Sequence, residues 1–190
     1  MALPNPNFNH RAGQVALRYS APAIVLHWLL AAAIIGSFSL GIYMTELPFS
    51  PTRLKLYSWH KWAGISILAL SALRLLWRLS HRPPADPPMP AWQARAAHAT
   101  HGLLYLLFFA VPISGWIYSS ASGFPVVWFA VLPLPDLVPV DKALAENLKL
   151  LHKVLTLSLA ALVLMHVAAA VKHHVIDGDG LINRMRFGKR

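Results

Sequence analysis

The chain has 190 residues, of which 56% are hydrophobic and 13% charged, and its mean hydropathy is +0.50. Soluble domains contain about 45–50% apolar and about 25% charged residues, so this composition predicts an integral membrane protein. The absence of cysteine excludes structural disulfides, thiolate-bound metal clusters and haem attached through thioether bonds.

Four apolar segments predict four membrane-spanning helices in one transmembrane domain at residues 21–174. A polar tail at residues 1–20 ends in a serine that can cap the first helix, followed by Pro22. Five prolines at residues 81–90 cannot continue a helix, and four more at residues 119–141 mark a long connection expected to lie against the membrane surface. A basic tail at residues 175–190 ends the chain. The predicted spans cover about residues 21–43, 58–79, 92–118 and 148–174.

The basic residues are distributed unevenly between the two ends of these spans, which predicts their orientation. Eleven of the 17 lysines and arginines lie in the tails or near the 81–90 linker, and six lie at the other end. Cytoplasmic loops carry the excess of lysine and arginine, so we expect a multi-pass membrane protein with both termini in the cytoplasm. The net charge of +10 then reflects topology, so membrane lipid is the expected partner and nucleic acid is not.

Two histidines in the fourth span, His152 and His166, give the first indication of a function. They are fourteen residues apart, and fourteen steps of 100° end about 40° short of four full turns, so both rings leave nearly the same helix face. A rise of 1.5 Å per residue separates them by about 21 Å along the axis. Rings placed in this way are suited to hold two cofactors stacked across the membrane.

Each of these histidines has a counterpart at a similar depth in another span. His27 and His166 lie about 9 and 12 Å from the cytoplasmic end, whereas His60 and His152 lie near the outer start of their spans. Two neutral imidazoles facing each other among apolar helices are the ligand set of a six-coordinate b-type haem. Zinc would need three or four ligands, and neither pair has a nearby Cys, Asp or Glu in a span. The pattern predicts two haems b, bound by His27 with His166 and by His60 with His152.

Beyond the histidines, the chain contains several segments typical of one family: LHW at 26–28, WHKWAGISIL at 59–68, RLLWRL at 74–79, AHATHGLLYLLFFAVPISGW at 97–116, LHK at 151–153, LMH at 164–166 and KHHVIDGDGLINRM at 172–185. In these segments it resembles the bacterial cytochrome b561 family and, more loosely, the dihaem cytochrome b subunits of formate dehydrogenases and nickel-iron hydrogenases. The resemblance implies a location in the bacterial inner membrane. The resemblance implies a four-helix bundle with two haems b and His27, His60, His152 and His166 as axial ligands. It also implies electron exchange with membrane quinone and, in some members, oxidation of superoxide with ubiquinone as acceptor.

Several residues at the cytoplasmic end are candidates for contacts with haem propionates or quinone. Histidine titrates near physiological pH and quinone reduction consumes protons, so histidines here are candidates for binding or proton relay, with a separate metal site as the alternative. Two arginines one turn apart in the second span are candidates for pairing with propionates or for anchoring the span. These residues are His98, His101, His173, His174, Arg74 and Arg78.

Two lysines follow the outer histidines directly, Lys61 after His60 and Lys153 after His152. We predict that they belong to a positive mouth over the outer haem, which binds its propionates or steers a small anion such as superoxide. The predicted members of this positive mouth are Arg53, Lys55, Lys61, Lys149 and Lys153.

The sequence leaves the physiological partners open. The chain could be a superoxide:ubiquinone oxidoreductase, or a membrane anchor that transfers electrons for a separate dehydrogenase or a periplasmic redox protein. A metal transporter or haem carrier would need polar residues along a path through the bundle, and apart from the histidines the spans offer almost none. A single intramembrane histidine can be a packing residue, but four at two matched depths favour ligation.

Overall fold

In a computed structural model, which describes residues 18–86 and 89–188, the chain forms four long helices. They are α1 (Ala21–Glu46), α2 (Pro51–Ser80), α3 (Ala91–Ala121) and α4 (Lys142–Lys172). Each is long and apolar enough to cross a membrane, which confirms the predicted all-α, four-helix transmembrane fold. The predictions made for residues 1–17, for the linker prolines at 87 and 88 and for the last two basic residues lie outside the described residues.

Two helices begin six or seven residues before the apolar runs that predicted them, because capping residues set their starts. α2 begins at Pro51, seven residues before its apolar run, where the Ser50 hydroxyl accepts a hydrogen bond from the Arg53 amide at 3.2 Å. α4 begins six residues before the predicted start, where the Asp141 carboxylate accepts from the Leu144 amide at 3.0 Å. Both helices therefore extend beyond the apolar layer at the end of the bundle where they begin.

Helices that follow one another in the chain also pack together: α1 against α2, α2 against α3, and α3 against α4. Leu104 and Leu107 of α3 form a buried cluster with Leu159 of α4. The outward faces carry exposed apolar side chains, for example Leu106 at 62% and Leu164 at 70% exposure. Such surfaces are unfavourable in water and are expected where helices face lipid.

The connection between α3 and α4 folds back onto the bundle, and we call this end the hairpin end. Two short antiparallel strands, β1 (Val127–Trp128) and β2 (Leu132–Pro133), form the hairpin. The Trp62 indole of α2 donates to the carbonyl of Val127 at 2.6 Å, and the Trp128 indole donates to the Ser66 hydroxyl of α2 at 3.2 Å. These bonds hold the connection against α2.

The described C-terminal residues cross the opposite end of the bundle, which we call the tail end. A π-helical turn (His173–Asp177) and a 3-10 helix (Leu181–Met185) follow α4. The Trp28 indole of α1 donates to the carbonyl of Met185 at 2.8 Å, and Arg184 donates to the carbonyl of Ala85 in the linker at 2.9 Å. The start of α1, the linker and the tail therefore lie at the same end.

Candidate cofactor sites

His60 of α2 and His152 of α4 face each other near the hairpin end. Their ring centroids are 6.3 Å apart and their ring planes are inclined at 87°. When two imidazoles bind one metal ion from opposite sides, two metal–nitrogen bonds of about 2 Å and half a ring on each side separate the centroids by about 6 Å. The observed spacing suits a metal ion between these two rings.

The backbone of a neighbouring helix holds each of these two rings. Nδ1 of His60 lies 3.1 Å from the carbonyl oxygen of Ser37 in α1, and Nδ1 of His152 lies 3.1 Å from that of Val111 in α3. The Ser37 and Ser114 hydroxyls lie 3.3 and 3.0 Å from the same nitrogens. A carbonyl oxygen only accepts, so Nδ1 carries the hydrogen and Nε2 keeps its lone pair. This is the tautomer that binds metal through Nε2, and the bond at Nδ1 orients the ring.

Both rings line an apolar cavity that extends between α1 and α4. Its volume is about 220 Å³, and the cavity is partly open to the outside of the bundle. Gly64 lines the cavity, and a Cβ atom there would meet nothing within 4 Å. Thr156 also lines it, and its buried hydroxyl has no hydrogen-bond partner among the residues that the structure describes. Apolar walls, free space beside Gly64 and two opposed nitrogen donors fit the flat macrocycle of a haem.

His27 of α1 and His166 of α4 form a second facing pair near the tail end. Their centroids are 6.4 Å apart and their planes are inclined at 71°. A third ring, that of His101 in α3, has its centroid 5.5 Å from that of His166. The structure thus brings three histidines together where the sequence paired two, and only the His27–His166 spacing reaches the value of about 6 Å expected for rings on opposite sides of one metal ion.

Arg74 of α2 contacts the ring of His27. Its guanidinium nitrogen lies 2.7 Å from Nδ1 of His27, and its Nε donates to the Tyr105 hydroxyl at 3.2 Å. Arginine only donates, so Nδ1 of His27 accepts here and Nε2 carries the hydrogen. This tautomer is the opposite of that in His60 and His152. Metal binding through Nε2 of His27 therefore requires Arg74 to release Nδ1.

The other residues predicted for the tail end have separate partners. Arg78 lies over the ring of Tyr105, 5.8 Å from its centroid. His98 pairs with Asp86 of the linker at 3.0 Å, and more than half of each side chain is exposed. His98 and His101, which helical spacing put on one face, therefore serve different partners. His174 is exposed at the end of α4.

His173 lies in a small ionic cluster just after α4. Its Nδ1 is 2.6 Å from an oxygen of Asp179 and 3.2 Å from an oxygen of Asp177, and Lys172 lies 2.6 Å from the same Asp177 oxygen. Partial burial raises the pKa of Asp179, but a backbone hydrogen bond and the contact with His173 together hold that pKa below its usual value. Asp179 is thus a charged acceptor for His173 at neutral pH, and Lys172 pairs with Asp177.

Lys61 has a structural contact that the sequence did not reveal. Its ammonium lies 3.1 Å from the carbonyl oxygen of Pro125 and 3.4 Å from that of Phe124. It also lies 3.4 Å from the Ser119 hydroxyl. These contacts turn the charge toward backbone acceptors and fasten the α3–α4 connection to α2.

The other members of the predicted positive mouth differ in the contacts that their charged groups make. Lys153 is exposed directly after His152 in α4. The remaining three have local contacts, which are the Tyr57 ring for Arg53, the Trp59 ring for Lys55 and the Glu146 carboxylate for Lys149. Among the predicted members, Lys153 is therefore the best placed to meet an anion.

Four contributors to these sites were not identified from the sequence: Ser37, Val111, Ser114 and Tyr105. Val111 acts through its backbone carbonyl, and every residue has one, so no side-chain pattern marks it. Serines also occur in membrane helices as ordinary packing residues. The one available signal for Tyr105 was its position four residues after His101, on the same helix face.

Comparisons with known proteins cover nearly the whole chain. A family model described as prokaryotic cytochrome b561 matches residues 18–188. The chain is 36% identical over 170 residues to Cytochrome b561 homolog 2 of Escherichia coli (strain K12), which covers 88% of this chain and 90% of the relative. It is 32% identical over 174 residues to Cytochrome b561 homolog 1 of the same strain, covering 88% and 96%. It is 31% identical over 179 residues to Probable superoxide oxidase CybB of Yersinia pestis, covering 91% and 98%.

Proposed function

The chain belongs to the prokaryotic cytochrome b561 family, so it is a multi-pass bacterial membrane protein of electron transfer with b-type haem, and we propose that it holds two haems on four histidines. One haem is bound by His60 and His152 and the other by His27 and His166. The observation that supports this is the pair of ring separations, 6.3 and 6.4 Å, at opposite ends of the bundle.

In electron transfer, the protein's part is to hold the haems, to orient the histidine ligands and to keep water away from both. Haem supplies the one-electron carrier when it is bound. His60 and His152 present Nε2 lone pairs fixed by bonds at Nδ1, and the apolar side chains around them exclude water. At the tail end, Arg74 would release His27 when haem binds and would then be available, with Arg78, to pair with a carboxylate such as a haem propionate.

We further propose that quinone reacts at the tail end and that this end faces the cytoplasm. Reduction of a quinone to a quinol takes two electrons and two protons, and the tail end holds groups able to carry protons, His101 and the His173–Asp179 pair. Among the described residues, eight lysines and arginines also lie toward this end and six toward the hairpin end. A reporter fused to the C-terminus that is active only outside the cytoplasm should stay inactive, and activity would contradict this orientation.

The first test of the proposed function is a haem count on the detergent-purified full chain. A pyridine haemochrome assay is expected to give about two haems b per chain, because each facing pair binds one iron. A preparation from haem-replete cells with one haem or none would contradict the proposal. A dehydrogenase subunit that copurifies in fixed ratio would instead favour the membrane-anchor alternative.

A second candidate activity is the oxidation of superoxide with quinone as acceptor. One relative is named a probable superoxide oxidase, and Lys153 is exposed directly after His152. Each superoxide that gives up one electron would leave as dioxygen. Two such electrons and two protons from the tail end then convert one quinone into quinol.

Charge reversal at Lys153 tests this activity. Lys153→Glu is expected to slow haem reduction by superoxide about 2–10-fold at an ionic strength of about 0.1 M, and the difference should vanish in about 1 M salt. Stopped-flow absorbance with a superoxide pulse measures it. The matched control is Lys142→Glu, which lies about 15 Å further along α4 from His152, beyond the screening length of about 8–10 Å. Equal effects of the two reversals, or no effect of either, would contradict steering by Lys153.

A further inference from the structure

Two glycines lie against the hairpin-end histidines in the same way. Gly41 follows Ser37 by four residues in α1, and Gly115 follows Val111 by four residues in α3. The carbonyls of Ser37 and Val111 are those that accept the hydrogens of the two imidazoles. Each ring therefore docks where a carbonyl is followed four residues later by glycine. We call these places the α1 notch (Ser37 and Gly41) and the α3 notch (Val111 and Gly115).

The missing side chain makes the carbonyl accessible. In an α-helix the carbonyl of residue i points along the axis toward residue i+4, so a side chain at i+4 stands beside any group that approaches that oxygen. A Cβ atom on Gly41 would lie 3.2 Å from Cε1 of His60, and one on Gly115 would lie 2.9 Å from Cε1 of His152. Real Cβ contacts essentially never fall under 3.0 Å, so alanine at position 115 must displace either the ring or the helix.

We propose that Gly41 and Gly115 are positioning residues for the axial ligands of the hairpin-end haem. By leaving two carbonyls open to the imidazoles, the notches keep the hydrogen of each ring on Nδ1 and hold the ring planes at 87°. Nδ1 of His27 at the tail end contacts Arg74 instead of a carbonyl. This inference rests on the proposed haem ligation by His60 and His152 and adds what sets the orientation of those rings.

The notches can be tested with four glycine-to-alanine variants of the full chain. Gly41→Ala is paired with Gly36→Ala on α1, and Gly115→Ala with Gly102→Ala on α3. An added Cβ at Gly36 or Gly102 meets nothing within 4 Å, so these two variants are matched controls. Alanine has a higher helix propensity than glycine at every one of these positions, so helix propensity cannot cause a loss of haem.

The expected result is a graded effect confined to one haem. Gly115→Ala should weaken haem binding at the hairpin end by about 10–100-fold, the size typical for loss of a hydrogen bond behind a metal ligand. Gly41→Ala should have the smaller effect, because its added Cβ would lie at 3.2 Å and not at 2.9 Å. The remaining hairpin-end haem should show an altered low-spin ferric EPR signal, which depends on the angle between the axial rings. The tail-end haem and both controls should match the wild type.

The other outcomes separate this inference from the proposed function. If Gly41→Ala and Gly115→Ala match their controls in haem content and in EPR signal, the notches are ordinary helix packing and the inference is wrong, while haem ligation stands. If His60→Ala keeps two haems, the ligation proposal is wrong. If Gly115→Ala fails to accumulate in the membrane, Gly41→Ala decides the question by the same two measurements.

Discussion

Alanine at His60 and alanine at His152 are each expected to remove the same haem and to leave the other in place. The two rings face each other across 6.3 Å, so they bind opposite sides of one iron, and either loss opens the same site. Haem content should fall to about one per chain in both variants, because neither Thr156 nor Gly64 in the cavity offers a replacement nitrogen donor. Pyridine haemochrome and redox difference spectra measure the loss.

The double variant sharpens this prediction. Since the two side chains act as one unit, removing both should cost no more haem than removing one, and all three difference spectra should coincide. His98→Ala is the matched control, because its ring pairs with Asp86 at the exposed linker and should leave two haems bound. Different residual spectra for the two single variants would show that His60 and His152 serve different haems.

The four-helix fold was predictable because it depends on the composition of long segments of the chain. A membrane helix needs about twenty apolar residues, so four apolar runs separated by prolines define four spans without any contact information. The depth matching of histidines was predictable for a similar reason, since a rigid rise of 1.5 Å per residue converts sequence position into depth. Both predictions use regular helix geometry, which sequence spacing determines directly.

The contacts around the histidines depend on how helices pack, and spacing does not determine that. Lys61 follows His60 directly and was predicted to meet an anion, yet the α3–α4 connection brings the carbonyls of Pro125 and Phe124 to its ammonium. Gly41 has no side chain that could indicate a contact, yet the structure puts the His60 ring against it. In each case the partner comes from another element of the chain.

The two histidine pairs also differ in the hydrogen bonds at Nδ1, although both pairs consist of the same residue type. At the hairpin end both rings donate from Nδ1 to backbone carbonyls, whereas at the tail end the Arg74 guanidinium donates to His27. Hydrogen bonds behind a ligand change its basicity and orientation, and the hairpin-end bonds can persist when iron binds whereas Arg74 must release His27. The two haems should therefore differ in potential even though both have two histidine ligands. The tail-end pair must therefore exchange a partner before it binds iron, and the hairpin-end pair need not.

At the tail end, alanine at His27 is expected to remove one haem, whereas alanine at His101 is expected to leave two. The centroids of His27 and His166 are 6.4 Å apart, which allows an iron between them, whereas those of His101 and His166 are only 5.5 Å apart. Haem content should fall to about one per chain in His27→Ala and stay near two in His101→Ala. The haemochrome assay measures both variants.

A histidine at the tail end that lies outside the cluster provides the control for this comparison. His81 stacks on Trp77 with centroids 3.8 Å apart, outside the cluster, so His81→Ala should keep both haems. If His101→Ala loses a haem and His27→Ala keeps two, the ligands are His101 and His166, and pairing by depth chose the wrong ring. Arg74 would then stay hydrogen-bonded to Nδ1 of His27 in the haem-bound protein. His27 would not bind iron, so its Nδ1 could remain an acceptor for the guanidinium.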